Sequence, residues 1–352
     1  MGDKYFSKVN ISAIASVVPK KKFSLIELAN KDNEKEIERI INSTGIKEVT
    51  VAEEGMTSSD YAFEAATKLI NEMDLNVDEI DGLIFLTESP DYIIPNTASI
   101  LQHRLGLRTN TINIDLRYGC AGYIYGLFQA SLLVESGFCN KVLFLAGDTI
   151  SHYINEQDRS LRMVNGDAAC ATLITSSTNC SKSYYSFFVD GSGVNSLLIP
   201  AGGRRMPIKP GVTDVMEYDK DGNGRTKENL YMNGMDIMVF ATRKAPQLVK
   251  EVLEYSGWGK DDIDLYAFHQ ANKLIVDRIA KLLRISSDRI PICMEHTGNC
   301  GFDSIPLMIC TKYPGVNAGF KKVVACGFGA GLIAAAAAID LSNTKIIKTF
   351  EV

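Results

Sequence analysis

The chain has no basic excess. Its 352 residues carry a formal net charge of −5, which argues against nucleic acid or an anionic membrane surface as the main partner. It has no Cys-x-x-Cys pair and no cluster of Cys and His ligands, so no metal site is expected. An apolar leader is also missing. Met1-Gly-Asp-Lys-Tyr-Phe-Ser7 has no signal core, and Phe6 stands where a myristoylation start wants Ser or Thr. The eight cysteines are scattered. In a long chain of this kind they read as reduced thiols and point to the cytoplasm. Long hydrophobic runs are absent as well. The longest, Val323 to Ile339, is Gly- and Ala-rich and shorter than a span of about 20 residues. It reads as a buried strand, turn and strand. Asp219-Lys-Asp-Gly-Asn-Gly224 begins like a calcium loop, but Leu230 stands where the twelfth-position Glu belongs, so a surface turn is expected.

What is present is a core-forming sequence, 46% hydrophobic, with length for about two domains or halves. Ile80–Leu86, Lys141–Gly147 and Ala168–Thr175 are continuous apolar strands of the buried-sheet kind. Helical spacing predicts helices over Leu25–Asn42, Ser58–Met73, Pro95–Leu105 and Asp236–Tyr255, and over 272–284 and 303–312. Residues 202–230 read as a long polar loop, and 290–295 as a strand or loop.

The chain also repeats itself. Asp78-Glu-Ile-Asp-Gly-Leu-Ile-Phe-Leu86 matches Asp261-Asp-Ile-Asp-Leu-Tyr-Ala-Phe-His269. Gly119-Cys-Ala-Gly122 matches Gly298-Asn-Cys-Gly301, and Asn140–Gly147 matches Lys321–Gly327. The expected organisation is therefore α/β, with halves at 1–178 and 179–352. Ligands gather at the carboxyl ends of strands in such folds. Cys120 lies at a strand-to-helix turn, where unpaired N–H groups and the helix dipole favour a thiolate. The repeat puts Asn299 in the equivalent turn across a pseudo-two-fold axis. His269 ends the matching strand of the second half. Cys120, His269 and Asn299 thus form a candidate nucleophilic site. A core cysteine and a structural strand-end histidine are the bland alternatives.

Gly119-Cys-Ala-Gly122, His269-Gln-Ala-Asn272, Gly298-Asn299 and the closing Phe328-Gly-Ala-Gly331 together resemble β-ketoacyl-ACP synthase III, an initiating condensing enzyme of the thiolase superfamily. Ser43-Thr-Gly-Ile46, Asp158-Arg159, Gly166-Asp167 and Ser304-Ile-Pro306 add to the match, which spans almost the whole chain. The resemblance implies a thiolase-like fold of two pseudo-repeated halves in α-β-α-β-α layers, and a homodimer. It implies an acyltransferase without a cofactor. An acyl-CoA or acyl-ACP thioester acylates Cys120, and malonyl-ACP then condenses with loss of CO2. His269 and Asn299 are implied to hydrogen-bond the malonyl thioester carbonyl. The backbone N–H groups of Cys120 and Ala330 are implied as the oxyanion hole. Arg159, Gly234 and Asn272 match substrate-binding positions. Ile94 stands where an aromatic closes the acyl pocket from the partner subunit, and Phe302 replaces a small residue after Asn299. Lys273, Arg278 and Lys281 match the basic surface that receives acyl carrier protein. Arg39 and Ser43 replace residues that hold CoA, and Met235 replaces an asparagine. The altered pocket leaves two rival functions. One is acyl transfer from Cys120 to an amine or hydroxyl without decarboxylation. The other is a non-catalytic subunit of a heterodimeric synthase.

Overall fold

A computed structural model describes residues 5–29, 33–316 and 319–352. Met1 to Lys4 of the start discussed above lie outside the described residues, as does part of the 25–42 stretch. In chain order the main elements are β1 (Val9–Val18), α1 (Glu34–Thr44), α2 (Ser58–Glu72), β2 (Gly82–Leu86), α3 (Thr97–Arg104), β3 (Ile112–Leu116) and α4 (Gly122–Glu135). There follow β4 (Lys141–Asp148), β5 (Ala168–Ser176), β6 (Ser183–Val189), α5 (Gly234–Ser256), β7 (Leu265–Phe268), α6 (Lys273–Leu283), α7 (Ser304–Lys312), β8 (Val323–Gly329) and β9 (Ile333–Ile339).

Each half builds the same sheet. In the first, β2 runs parallel to β4, which pairs antiparallel with β5, which pairs antiparallel with β1. In the second, β7 runs parallel to β8, then β9 and β6 follow antiparallel. The first sheet adds β3 beside β2. The counterpart stretch near residue 290 forms 3-10 turns at Ser287–Arg289 and Met294–His296 instead of a strand. The sheets also exchange ends. Tyr5–Phe6 pairs with β6, and Lys345–Ile346 and Phe350–Glu351 pair with β1.

Every residue of β2, β8 and β9 is buried, as expected for strands covered on both faces. The covering helices make five layers. Helix α2 lies outside the first sheet, α5 and α6 outside the second, and α4 and α7 between them. The middle core joins Ile124 and Leu127 of α4 to Ile305 and Met308 of α7 and to both sheets. The fold is the α-β-α-β-α arrangement expected from the resemblance.

The differences are local. Leu25–Asn42 is not one helix but a 3-10 turn at Leu25–Leu28 and then α1. Gly45, at φ +74°, ends α1, a conformation that glycine takes without a Cβ penalty. Helix α3 starts two residues later than expected, where the Asp115 carboxylate accepts from the Thr97 and Ala98 N–H groups. The 202–230 loop holds a small hairpin, Glu217–Tyr218 with Gly224–Arg225. Asp219 there accepts from the Asn223 and Asp221 N–H groups and pairs with Arg225, and these bonds, those of Asn223 foremost, hold its carboxyl down at about 2. That turn is closed by its own side chains, as expected of a surface turn. Among the described residues no helix is long and apolar enough to cross a membrane.

Candidate active site

Strands β2, β3 and β4 end level with one another, with Leu86 beside Leu116 and Ala146. In the second half β7 ends with Phe268 beside Cys326, and β8 runs on to Gly329. The loops leaving these ends enclose a cavity of about 1300 Å³. Cys120, His269, Asn299 and Ala330 all line it. The structure thus brings Cys120, His269 and Asn299, which the repeat set in matching places, to one cavity with Ala330, which the resemblance implied.

Cys120 sits two residues before α4, half-buried. The β8–β9 turn presses against it backbone to backbone. A Cβ at Gly329 would stand 2.9 Å from the Cys120 amide nitrogen and 3.1 Å from its Sγ, and one at Gly119 would stand 2.8 Å from the Ala330 nitrogen. Only glycine fits at either position. Among the described residues neither the Cys120 nor the Ala330 N–H is committed to another backbone carbonyl. Burial, and behind it the negative fields of Glu88 and Asp148, push the Cys120 thiol upward. The helix N-terminus does not outweigh them, so the free site holds a thiol rather than the thiolate that the turn alone suggested.

His269 is 1% exposed. Its backbone N–H donates to Cys326, and its ring packs edge-on to Phe328 at 5.1 Å. Nδ1 lies 2.8 Å from the Ser304 hydroxyl, and that hydroxyl donates to the Gly301 carbonyl at 2.7 Å. Its single hydrogen being spent, the serine oxygen accepts, so Nδ1 carries the ring proton. Nε2 is then a bare acceptor. Burial lowers the His269 pKa to about 4, so the ring is neutral. Asn299 is pinned by backbone bonds to Val164 and Gly166. Its Oδ1 accepts from the Gly301 N–H at 3.0 Å, which leaves its NH2 group to donate. The site thus pairs one fixed donor with one fixed acceptor.

The remaining expected residues divide. Gly234, Asn272 and Ile94 line the cavity. Asn272 also caps α6 by accepting from the Ile275 N–H. Ile94 is 84% exposed. Arg159 does not reach the cavity wall; it opens the short helix Arg159–Arg162. Phe302 does not reach it either. Its ring is drawn into the apolar middle core with Ile305 and Met308. Lys273, Arg278 and Lys281 are exposed on α6, and Lys273 pairs with Asp277.

Sequence reasoning missed Glu88, Arg117, Asp148 and Asn165, which also line the cavity. A signal was present for two of them. Glu88 follows the end of a strand whose repeat mate ends at His269, and Arg117 lies on the Cys120 loop. Among the described residues no group of three or more His, Cys, Asp or Glu is placed to hold a metal ion.

Two family models match the chain: 3-oxoacyl-[acyl-carrier-protein (ACP)] synthase III over residues 114–193 and the same family's C-terminal model over 253–341. A putative 3-oxoacyl-[acyl-carrier-protein] synthase 3 of Campylobacter jejuni is 32% identical over 342 residues, covering 96% of this chain and 95% of that protein. The beta-ketoacyl-[acyl-carrier-protein] synthase III of Caldanaerobacter subterraneus is 32% identical over 324 residues, or 90% of this chain and 94% of that protein. A solved 3-oxoacyl-(acyl-carrier-protein) synthase III superposes with a TM-score of 0.88 at 34% identity, covering 95% of this chain and 99% of its own. The synthase of Burkholderia xenovorans superposes with a TM-score of 0.90 at 29% identity, covering 99% and 98%. The chain belongs to the 3-oxoacyl-[acyl-carrier-protein] synthase III family of condensing acyltransferases.

Proposed function

We propose that this protein catalyses decarboxylative Claisen condensation of a Cys120-bound acyl group with malonyl-ACP. The observation that carries it is the convergence of Cys120, His269 and Asn299 on one cavity beside the free Ala330 N–H. An acyl thioester enters along Gly234 and Asn272. Cys120 gives its proton to Nε2 of His269 as its sulfur attacks, and the imidazolium returns that proton to the departing carrier thiol. The Cys120 and Ala330 N–H groups hold the oxyanion. Malonyl-ACP then loses CO2, and the Asn299 NH2 donates to the enolate oxygen, a charge that exists only on the way to product. The enolate carbon attacks the acyl carbonyl and releases a 3-oxoacyl-ACP. The Cys120 thiolate expelled by that attack takes a proton from water through His269.

The enzyme needs no cofactor in this scheme and works in the cytoplasm as a homodimer. The exposed Ile94 rim and the half-buried edge strand β3 would face the partner copy. The exposed Lys273, Arg278 and Lys281 would receive the acidic carrier protein, an attraction that weakens with salt.

The test is intact mass after exposure to acyl-CoA and acyl-ACP thioesters, followed by malonyl-ACP. An adduct on wild type and none on Cys120→Ala is expected, then CO2 and a 3-oxoacyl product. An adduct that leaves as an amide or ester without CO2 would make the enzyme a simple acyltransferase. No adduct would remove the nucleophile.

A further inference from the structure

The two halves line the cavity with different chemistry. Apart from Arg204, every Asp, Glu, Lys and Arg among the described lining residues belongs to the first half. The second half contributes apolar groups such as Met232, Ile237, Met238 and Ile275. Two of the first-half carboxylates are structural: Asp115 caps α3, and Asp91 accepts from the Ser59 hydroxyl. Glu88 and Arg117 are not. Neither side chain has a hydrogen-bond or ion-pair partner among the described residues, although both line the cavity with Cys120. Glu88 and Arg117 are both solvent-accessible, and both line the cavity. Asn165 also lines the cavity; one hydrogen of its NH2 goes to the Leu161 carbonyl, which leaves its oxygen to accept.

Resting on the thioester reading above, we propose that the acyl group loaded onto Cys120 carries a hydroxyl, which Glu88 and Arg117 read together. A plain alkyl chain against this wall would strip water from a carboxylate and a guanidinium and return nothing. Charge decides which polar group fits. Burial raises Glu88 and Asp148; the Glu88 charge raises Asp148 further, while Arg117 draws Glu88 back down. The wall thus sets acidic Glu88 and Asp148 and basic Arg117 around one cavity. A carboxylate on the substrate would meet the acidic pair, and an ammonium would meet Arg117. A hydroxyl meets neither penalty. It donates to Glu88 and accepts from Arg117. Loading is thioester exchange: the carrier C–S bond breaks as the Cys120 Sγ–C bond forms, and the thiol proton ends on the carrier sulfur.

The experiment follows the Cys120 adduct over time by intact mass. The probes are butyryl, (R)- and (S)-3-hydroxybutyryl and succinyl thioesters, each on CoA and on acyl carrier protein. One 3-hydroxybutyryl enantiomer should acylate the wild type roughly 10-fold or more faster than butyryl. The double variant Glu88→Leu, Arg117→Leu should lose that preference or reverse it. Butyryl equal to or faster than both hydroxy probes on wild type overturns the proposal, whether or not the variant folds. So does an unchanged ratio in a folded variant. Succinyl as the fastest probe overturns the hydroxyl and assigns Arg117 to a carboxylate. Acylation by no probe on either carrier removes the thioester reading itself, a result distinct from acylation without preference.

Discussion

Strands β2 and β7 are the same strand of the same repeated unit, and their ends have diverged. Past β7 the chain sets a neutral imidazole, fixed at Nδ1 by Ser304. Past β2 it sets Thr87, Glu88 and Ser89. Thr87 donates to Ser58, and Ser89 donates to Asp148, so both belong to a buried polar lattice. Glu88, between them, is left facing the cavity. A strand alternates its side chains, so one register delivers support on one side and a free group on the other. The second half thus holds groups suited to moving protons and stabilising an enolate. The first holds the nucleophile and the wall against which its cargo rests. Duplication supplied two equivalent openings, and only asymmetry between them separates chemistry from selection.

The sharpest way to break this division is to remove groups from one half at a time. Cys120→Ala should abolish the acyl adduct and lower condensation on the order of 1000-fold or more. His269→Ala and Asn299→Ala should each lower product formation by about 100-fold or more. They should differ in step. If Nε2 accepts the thiol proton, His269→Ala slows acylation itself. Asn299→Ala leaves acylation near wild type and stalls at the acyl-enzyme when malonyl-ACP is added. Rapid-quench intact mass separates the two. An equal slowing of acylation in both variants would dissolve the donor and acceptor assignments made from Ser304 and Gly301.

A smaller effect probes how tightly the halves meet. Gly329→Ala puts a methyl 2.9 Å from the Cys120 nitrogen, so the turn must shift by several tenths of an ångström. Displaced oxyanion donors should lower acylation by about 10-fold or more, read in the same rapid-quench assay. A variant of full activity would mean that the β8–β9 turn can retreat without moving the thiol.

How much of this was legible beforehand depends on range. The strand ends and the repeat were legible because apolar runs and a Gly-Cys or Gly-Asn turn are local patterns. That is why Cys120, His269 and Asn299 converge as expected. Phe302 and Arg159 were not, because a side chain's direction after a turn is set by tertiary packing. The Phe302 ring follows the apolar middle core, away from the cavity. Glu88 was missed for the opposite reason: a lone charged residue after a strand normally faces bulk water, and only the closed cavity makes it a wall. The thiolate expected from the helix end failed because burial, and behind it Glu88 just past β2 and Asp148 at the end of β4, raise the thiol.

That opposition makes a pH signature. The thiol is raised, so thiolate is the minor form through neutral pH. With His269 taking the thiol proton as the sulfur attacks, wild-type acylation should stay flat from pH 6 to 9, whereas His269→Ala, left with the thiolate alone, should climb by up to about tenfold per unit while the thiol predominates. His269, at about 4, stays neutral throughout and adds no inflection in that window. In the His269→Ala background, Glu88→Gln removes one of the fields that raise the thiol and should move that climb to lower pH, a few-fold gain at pH 7. A bell with an acid limb near 6.5 would mean that His269 titrates normally and that its burial is relieved in solution.

The smallest effect concerns a place where the repeat was broken without visible use. Ile124 of α4 is fully buried, and its repeat mate is Asp303, also fully buried. Neither carboxylate oxygen of Asp303 has a hydrogen-bond partner among the described residues. Burial pushes its carboxyl well above the ordinary range; the adjacent Cys170 thiol, too poorly placed to count as a hydrogen bond, draws it back, and the Asp148 charge raises it further. The sign follows from linkage. Above the ordinary value of about 3.8 the unfolded chain releases this proton while the folded chain keeps it. Stability is therefore lost as pH rises from there toward the raised folded value. Asp303→Asn has no such proton to release, so its melting temperature should gain on the wild type as pH is raised from 4 to 8, by the equivalent of about 1–3 kcal/mol. A gap that does not change with pH would mean that Asp303 finds a partner in solution. A variant less stable than wild type at pH 8 would mean that the carboxyl is held for a reason within the second half, and that the asymmetry at Ile124 and Asp303 is functional like the one at the strand ends.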